Sequence, residues 1–338
     1  MSTTLHTERP ARRTAPAATR PGRMRWLAWR QSRAGIAVLA TGLLALAATL
    51  LFVHFSASAT VATMERTGCR TPGSWSENGC FALVTRAEHL TGIFSQYLQP
   101  VITLLPVLIG MFLGAPLLAQ EFERGTHRLV WAQSVTPARW LRARIGLPGL
   151  AVLLATGVLA VLSSWVWWTD VVHSPVAFDP PFGAFTYPAI GTAPVAWSLF
   201  AFALGLAVGL VLRRTVTAVL VTGALAGISL ALMRLARPHL YPVTSGVQPV
   251  DQMISTFAQP TNAWLVNSGQ VLADGTRVPD LDCYGGGGVD CSGTVARWGD
   301  YHPAGDLVPI QLVESGILLL LTIALLAFTF RRTGRAGA

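Results

Sequence analysis

At 338 residues, 52% of them hydrophobic and only 12% charged, the chain has too little polar surface for an ordinary soluble globular protein. Its formal net charge of +9 comes from arginine alone, for there is no lysine in the sequence. That excludes a P-loop nucleotide site, which needs the lysine of GxxxxGK[ST], and it excludes Schiff-base chemistry.

Residues 1–21, rich in Arg, Thr, Ala and Pro, are predicted to be a disordered basic tail. In residues 22–34, Trp26, Leu27 and Trp29 interleave with Arg23, Arg25, Arg30 and Arg33. That mix predicts an interfacial helix on the inner membrane surface, aromatics in the headgroup zone and arginines outward. Apolar runs of membrane length follow at 35–55, 100–119, 147–168, 193–212, 216–235 and 307–330. The expected fold is an all-α polytopic membrane protein with six transmembrane helices, five of them within 35–235 and the sixth at 307–330. The motif SASAT at 56–60 resembles a signal-peptidase site, but the preceding run has full membrane length and reads as a retained span.

Arginine placement orients the bundle, because basic residues are retained in the cytoplasm. Most arginines fall in residues 1–34, in 120–146, in the turn at 213–215 and in the tail at 331–338; most acidic residues fall in the other connections. Both termini are therefore read as cytoplasmic. The same pattern, arginines flanking apolar runs and not gathered in one patch, gives no support for nucleic-acid binding. Two outer segments are large: a loop at 57–98 and an extracytoplasmic segment at 236–306, long enough for a small folded cap. The four cysteines lie two in each, Cys69 with Cys80 and Cys283 with Cys291. Outside the membrane is an oxidising compartment, so two disulfides are expected. Three connectivities are open; local pairing closes the shortest loops. The spacings do not suit a metal site.

Ionisable groups at membrane depth are costly and count as functional candidates. His54, near the outer end of the first run, and Glu314, about two turns into the last, are the two such positions. Small-residue pairs at Gly110/Gly114, Gly205/Gly209 and Gly223/Gly227 predict close helix–helix approach within the bundle.

The inner connection at 120–146 is far longer than the 213–215 turn requires for the same task. Glu121 and Glu123 extend the second helix past the membrane, and Gly125 permits a break. Leu129, Val130 and Trp131 suit a short amphipathic helix. Thr136-Pro137 is a helix start, and Arg139, Arg142 and Arg144 then enter the third run from the inner side. The whole predicts a structured cytoplasmic knob that a partner could push.

The stretches GAPLLAQEFERGTHRLVWAQSVTPARWLRARIGLPGL at 114–150 and YHPAGDLVPIQLVESGILLLL at 301–321, with six spans and a long outer segment between the fifth and sixth, resemble ABC-2-type permease subunits, closest to an actinobacterial group. The resemblance covers most of the chain from about residue 24. It implies a coupling element formed by Glu121, Glu123, Arg124, Gly125, Thr126, Arg139 and Arg144, docked on a separate ABC ATP-binding subunit. The family often has lysine where Arg144 stands. The implied protein is a multi-pass cell-membrane permease, pointing to export, working as a homodimer or with a related permease in the lipid bilayer. It binds no cofactor itself; ATP and Mg are used by the partner. Two other readings remain open. A membrane sensor, receptor or immunity-type protein would use the outer segments. A membrane-embedded enzyme would need paired catalytic groups at membrane depth, and the runs offer almost no His, Asp or Glu.

Overall fold

A computed structural model of the chain describes residues 21–69, 79–125, 136–171, 180–250, 257–284 and 290–336. The tail at 1–20, Thr126 and the helix expected around Leu129–Trp131 lie outside the described residues. Among the described residues, six helices are long and apolar enough to cross a membrane: Ala37–Thr67, Cys80–Glu123, Pro137–Thr169, Ala193–Leu212, Thr215–His239 and Ala304–Arg335. They are called spans one to six. Inner and outer ends follow the arginine placement above.

The spans are longer than the apolar runs alone indicate. Helix Pro21–Thr67 takes in the residues read as an interfacial helix and continues without interruption past the first apolar run. Span two begins at Cys80. The outer loop expected at 57–98 is therefore mostly two helical ends, joined by the Cys69–Cys80 disulfide with its Cα atoms 5.3 Å apart. Below it, Met64, Cys69, Cys80, Val84 and Ala87 form a small buried cluster. Helix persists there without a long apolar run because the two stalks bury each other and the disulfide holds their tips.

Span two contains two wide turns, Ile93–Leu98 and Gly110–Gly114. Each closes on an i→i−5 bond, Gln99 N–H to Phe94 O and Ala115 N–H to Gly110 O. Each is followed, one residue on, by a proline, Pro100 or Pro116. Proline has no N–H and its ring crowds the carbonyl four residues back, so a widened turn before it relieves the clash.

Span four is the centre of the bundle, with 67% of its most apolar window buried, against 11% for span one and 17% for span five. Its core contact with span two runs through small residues. A Cβ at Gly110 would lie 2.7 Å from the Ala201 carbonyl oxygen, and one at Gly114 2.6 Å from that of Phe202. A Cβ at Gly205 or Gly209 would run into the backbone at Gly110 or Ala115. Two of the three expected small-residue pairs thus face each other within one chain. The third divides: Gly223 packs on Met111, and Gly227 has open space beside it.

Beyond span five the chain forms a four-stranded antiparallel sheet in the order β1-β4-β2-β3, with β1 Thr244–Pro249, β2 Trp264–Leu272, β3 Arg277–Pro279 and β4 Thr294–His302. This is the cap expected in the outer segment, built as a sheet on an otherwise helical fold. Gly275, at φ +84°, makes the β2–β3 turn, and the Asp274 carboxylate accepts the Thr276 N–H at 2.9 Å. That bond holds the Asp274 carboxyl below its ordinary pKa. Phe257 covers the strands where Gly246 and Gly299 leave room for its ring. A second disulfide, Cys283–Cys291, closes the segment before β4. The sheet sits on the bundle through Trp264, stacked on Phe182 at 5.4 Å, and through His302. The buried His302 ring lies 3.1 Å from the Pro238 carbonyl oxygen at the end of span five and 3.3 Å from Asp306 at the start of span six.

Candidate functional site

The inner ends of spans two, three and five meet in one cluster. Span two ends at Glu123; Arg124 is its C-cap and Gly125 follows at φ +68°, a left-handed conformation that glycine adopts without steric cost. Span three starts at Pro137, after Thr136 in an extended conformation, the geometry expected from Thr-Pro at a helix start. Between spans four and five the chain reverses at Arg213, at φ 55°, and Arg214.

Three consecutive residues at the end of span two are each held by a different neighbour. The Glu121 carboxylate pairs with Arg144 of span three at 3.0 Å, and both side chains are largely buried. Phe122 packs edge-on against Trp140 of span three, ring centroids 6.4 Å apart, and the Arg213 guanidinium lies 5.5 Å above its ring. The Glu123 carboxylate accepts both the backbone N–H of Thr215, at 2.9 Å, and its hydroxyl, at 2.6 Å. Arg124 and Arg139 are exposed at the same end. Of the expected coupling residues, Glu121 and Arg144 are therefore in contact. Glu123 joins a different element, Arg124 and Arg139 face outward, and Gly125 provides the break. Phe122, Trp140, Arg213 and Thr215 were not anticipated; the aromatic residues at 122 and 140, bracketing the inner loop, were their only sequence signal.

The outer end holds a second polar cluster. Glu314 is 1% exposed; it lies 2.9 Å and 3.2 Å from the Arg237 guanidinium and accepts the Trp197 indole N–H at 2.8 Å. Arg237 also lies over the Tyr187 ring, 3.7 Å from its centroid. The Gln311 amide donates to the carbonyls of Tyr187 and Ile190 at 3.1 and 3.0 Å. Thr192 and Ser315 share a hydrogen bond at 2.8 Å. This network locks the buried segment Thr186–Ile190 between spans four and six. Glu314, about two turns into the last apolar run, is enclosed and charge-paired. Arg237 could have been found as its partner, because two opposite charges at the ends of apolar runs are less costly together than apart.

His54 packs at a tilt against Trp165 of span three with ring centroids 4.0 Å apart, and its Nδ1 lies 3.4 Å from the Thr169 hydroxyl. It is a packing residue between spans one and three. The four cysteines form the two local disulfides. On the outer half, a groove of about 740 Å³ lies between spans three, four and six, lined by Gly157, Ala160, Ser164, Thr192, Ser315 and Gly316 among others.

The described part of the chain is thus a six-span bundle whose central helix is packed glycine-to-backbone on span two, with the inner ends of spans two, three and five tied together. Neither curated proteins nor solved structures give a match. The family model described as "ABC-2 membrane transporter related" matches residues 40–237, which takes in nearly all of spans one to five and the whole inner cluster. Spanning the membrane several times and matching that model over more than half its length, the chain belongs to the ABC-2 membrane transporter related family.

Proposed function

We propose that the chain is the permease subunit of an ATP-driven exporter in the cell membrane, docked through its inner loop on a separate ATP-binding subunit that uses ATP and Mg. The observation that carries this reading is the inner cluster. A loop with no role beyond joining two spans would need no charge-paired and aromatic anchor on either side. Here the loop leaves span two at the Gly125 break, returns at Thr136, and is pinned at its base by Glu121–Arg144 and Phe122–Trp140. Force that reaches either end of the loop is passed to spans two and three together. Glu121, Glu123 and Arg144 turn back onto the bundle, so docking falls to Arg124, Gly125, Thr126, Arg139 and the loop between them. The chain has no lysine with which to build its own nucleotide site.

The weakly buried faces of spans one and five support a path completed by a second copy or a related permease, with lipid on the remaining surface. Export follows from the family resemblance and is tested by the direction of flux.

Affinity-tagged chain, solubilised in detergent, is expected to retain an ATP-binding subunit. Gly125→Val, which forces a β-branched side chain into a left-handed conformation, and Arg124→Glu, which reverses an exposed charge, are expected to weaken that association. Retention of the same partner by both variants would overturn the docking assignment.

A further inference from the structure

In an α-helix, residues two apart point to nearly opposite sides, about 200° around the axis. Glu121 and Glu123 use that geometry: one carboxylate reaches span three through Arg144, the other reaches span five through Thr215. Thr215 is the first helical residue of span five, and its N–H is one of the amides that a helix leaves without an internal partner. The side chains preferred just ahead of a helix are Ser, Thr, Asp and Asn, whose oxygens satisfy such amides. Here that position is Arg214, which makes no side-chain cap and has no oxygen to offer. Glu123 supplies the missing acceptor from another helix, taking both the N–H and the hydroxyl of Thr215 on one oxygen. The turn before it has only Arg213 and Arg214 outside helix, so span five has little slack at its inner end.

We infer that Glu123 is a positioning residue that ties span five to the inner loop, so that movement of the loop is divided between span three, through Glu121, and span five, through Glu123. The inference rests on the proposed coupling to an ATP-binding subunit and names the route by which one of the least buried helices of the bundle is driven. Span two already touches span five deeper in the bundle, through Met111 on Gly223 and Ala115 and Ala119 on Ala218; Glu123 adds a polar tie at the inner end, where the loop begins. With the cap in place, the start of span five follows the end of span two.

The test uses the complete transporter with its ATP-binding subunit in lipid vesicles. Spin labels are placed at two exposed inner-end positions, Arg142 of span three and Val216 of span five, each paired with a reference label on the sheet at Val295. Distances are measured with and without ATP. In the otherwise unmodified chain both distances are expected to shift. Glu123→Ala is expected to keep the partner subunit bound, keep the shift at Arg142 and reduce the shift at Val216. Glu123→Gln, whose amide oxygen can still accept from Thr215, is expected to restore it. Thr215→Val, which keeps the N–H and removes the hydroxyl, guards against a folding defect specific to position 123 and is expected to reduce the Val216 shift. An undiminished Val216 shift in Glu123→Ala would overturn this inference and leave the docking assignment standing. No bound partner or no ATP-dependent shift in the unmodified chain would overturn both.

Discussion

Glu314 of span six and Arg237 at the end of span five meet in a two-point ion pair, at 2.9 and 3.2 Å, with side-chain exposures of only 1% and 7%. A buried pair of this kind is balanced between a large desolvation cost and a large attraction, so removing one partner is far worse than removing both. Glu314→Leu or Arg237→Met alone is expected to lower stability by about 3–5 kcal/mol. The double variant Arg237→Met/Glu314→Gln, which keeps an acceptor for the Trp197 indole, is expected to recover most of that. Thermal unfolding of the detergent-solubilised chain measures it; single variants melting with the parent would show that the pair carries no structural weight.

The contact between spans two and four leaves no room for a methyl group. Gly205→Ala would drive a Cβ into the backbone of Gly110 and Ala115, which cannot swing aside as a side chain would. Overpacking of this kind costs about 1–3 kcal/mol. Gly227→Ala, with nothing within 4 Å, is the control, and its melting temperature should match the parent. Equal melting of the two variants would contradict the packing described.

Gly191 stands at φ +65°, and a Cβ there would collide with the Gln311 side-chain oxygen. Gly191→Ala is expected to displace Gln311 and open the segment Thr186–Ile190. Gln311→Leu, which leaves the Tyr187 and Ile190 carbonyls without their donor, is expected to cost about 1–3 kcal/mol for each buried acceptor left unsatisfied. Limited proteolysis of the outer face reads the first effect and thermal unfolding the second.

Both disulfides are local. Removing Cys69–Cys80, with a sequence separation of 11, frees the tips of two helical stalks and is expected to cost about 2–3 kcal/mol by the loop-entropy argument. Intact chain from an oxidising environment should take up no maleimide at these four positions until reduced, and then four. Uptake without reduction would contradict both the pairing and the outer placement of these segments.

Six spans were legible because each contains an uninterrupted apolar run, and membrane length is a strong constraint on such a run. The ends of the helices were not. Residues 57–67 are polar enough to read as loop, and they are helical only because the stalk from Cys80 packs against them. The sheet was hidden for a related reason: NAWLVNSGQVL lacks the clean alternation that marks a strand, since Gly269 stands where the Trp298 ring of β4 packs across it. Gly110/Gly114 and Gly205/Gly209 were readable as close-approach motifs, although which faced which was not. In the inner cluster, the acidic pair, the glycine and the Thr-Pro start were visible in order along the chain. The attachments of Glu123 to Thr215 and of Glu314 to Arg237 cross 92 and 77 residues, beyond the reach of local pattern.

Spans five and six are riveted at one end. β1, which leaves span five, pairs along its length with β4, which enters span six, and His302 and the Arg237–Glu314 pair lie just beneath. Toward the opposite membrane face the two legs part, leaving a recess of about 440 Å³ floored by Leu204, Ala207 and Val208. Tongs joined in this way can spread only at their feet, so a change in the distance between these two helices must begin at the inner membrane face.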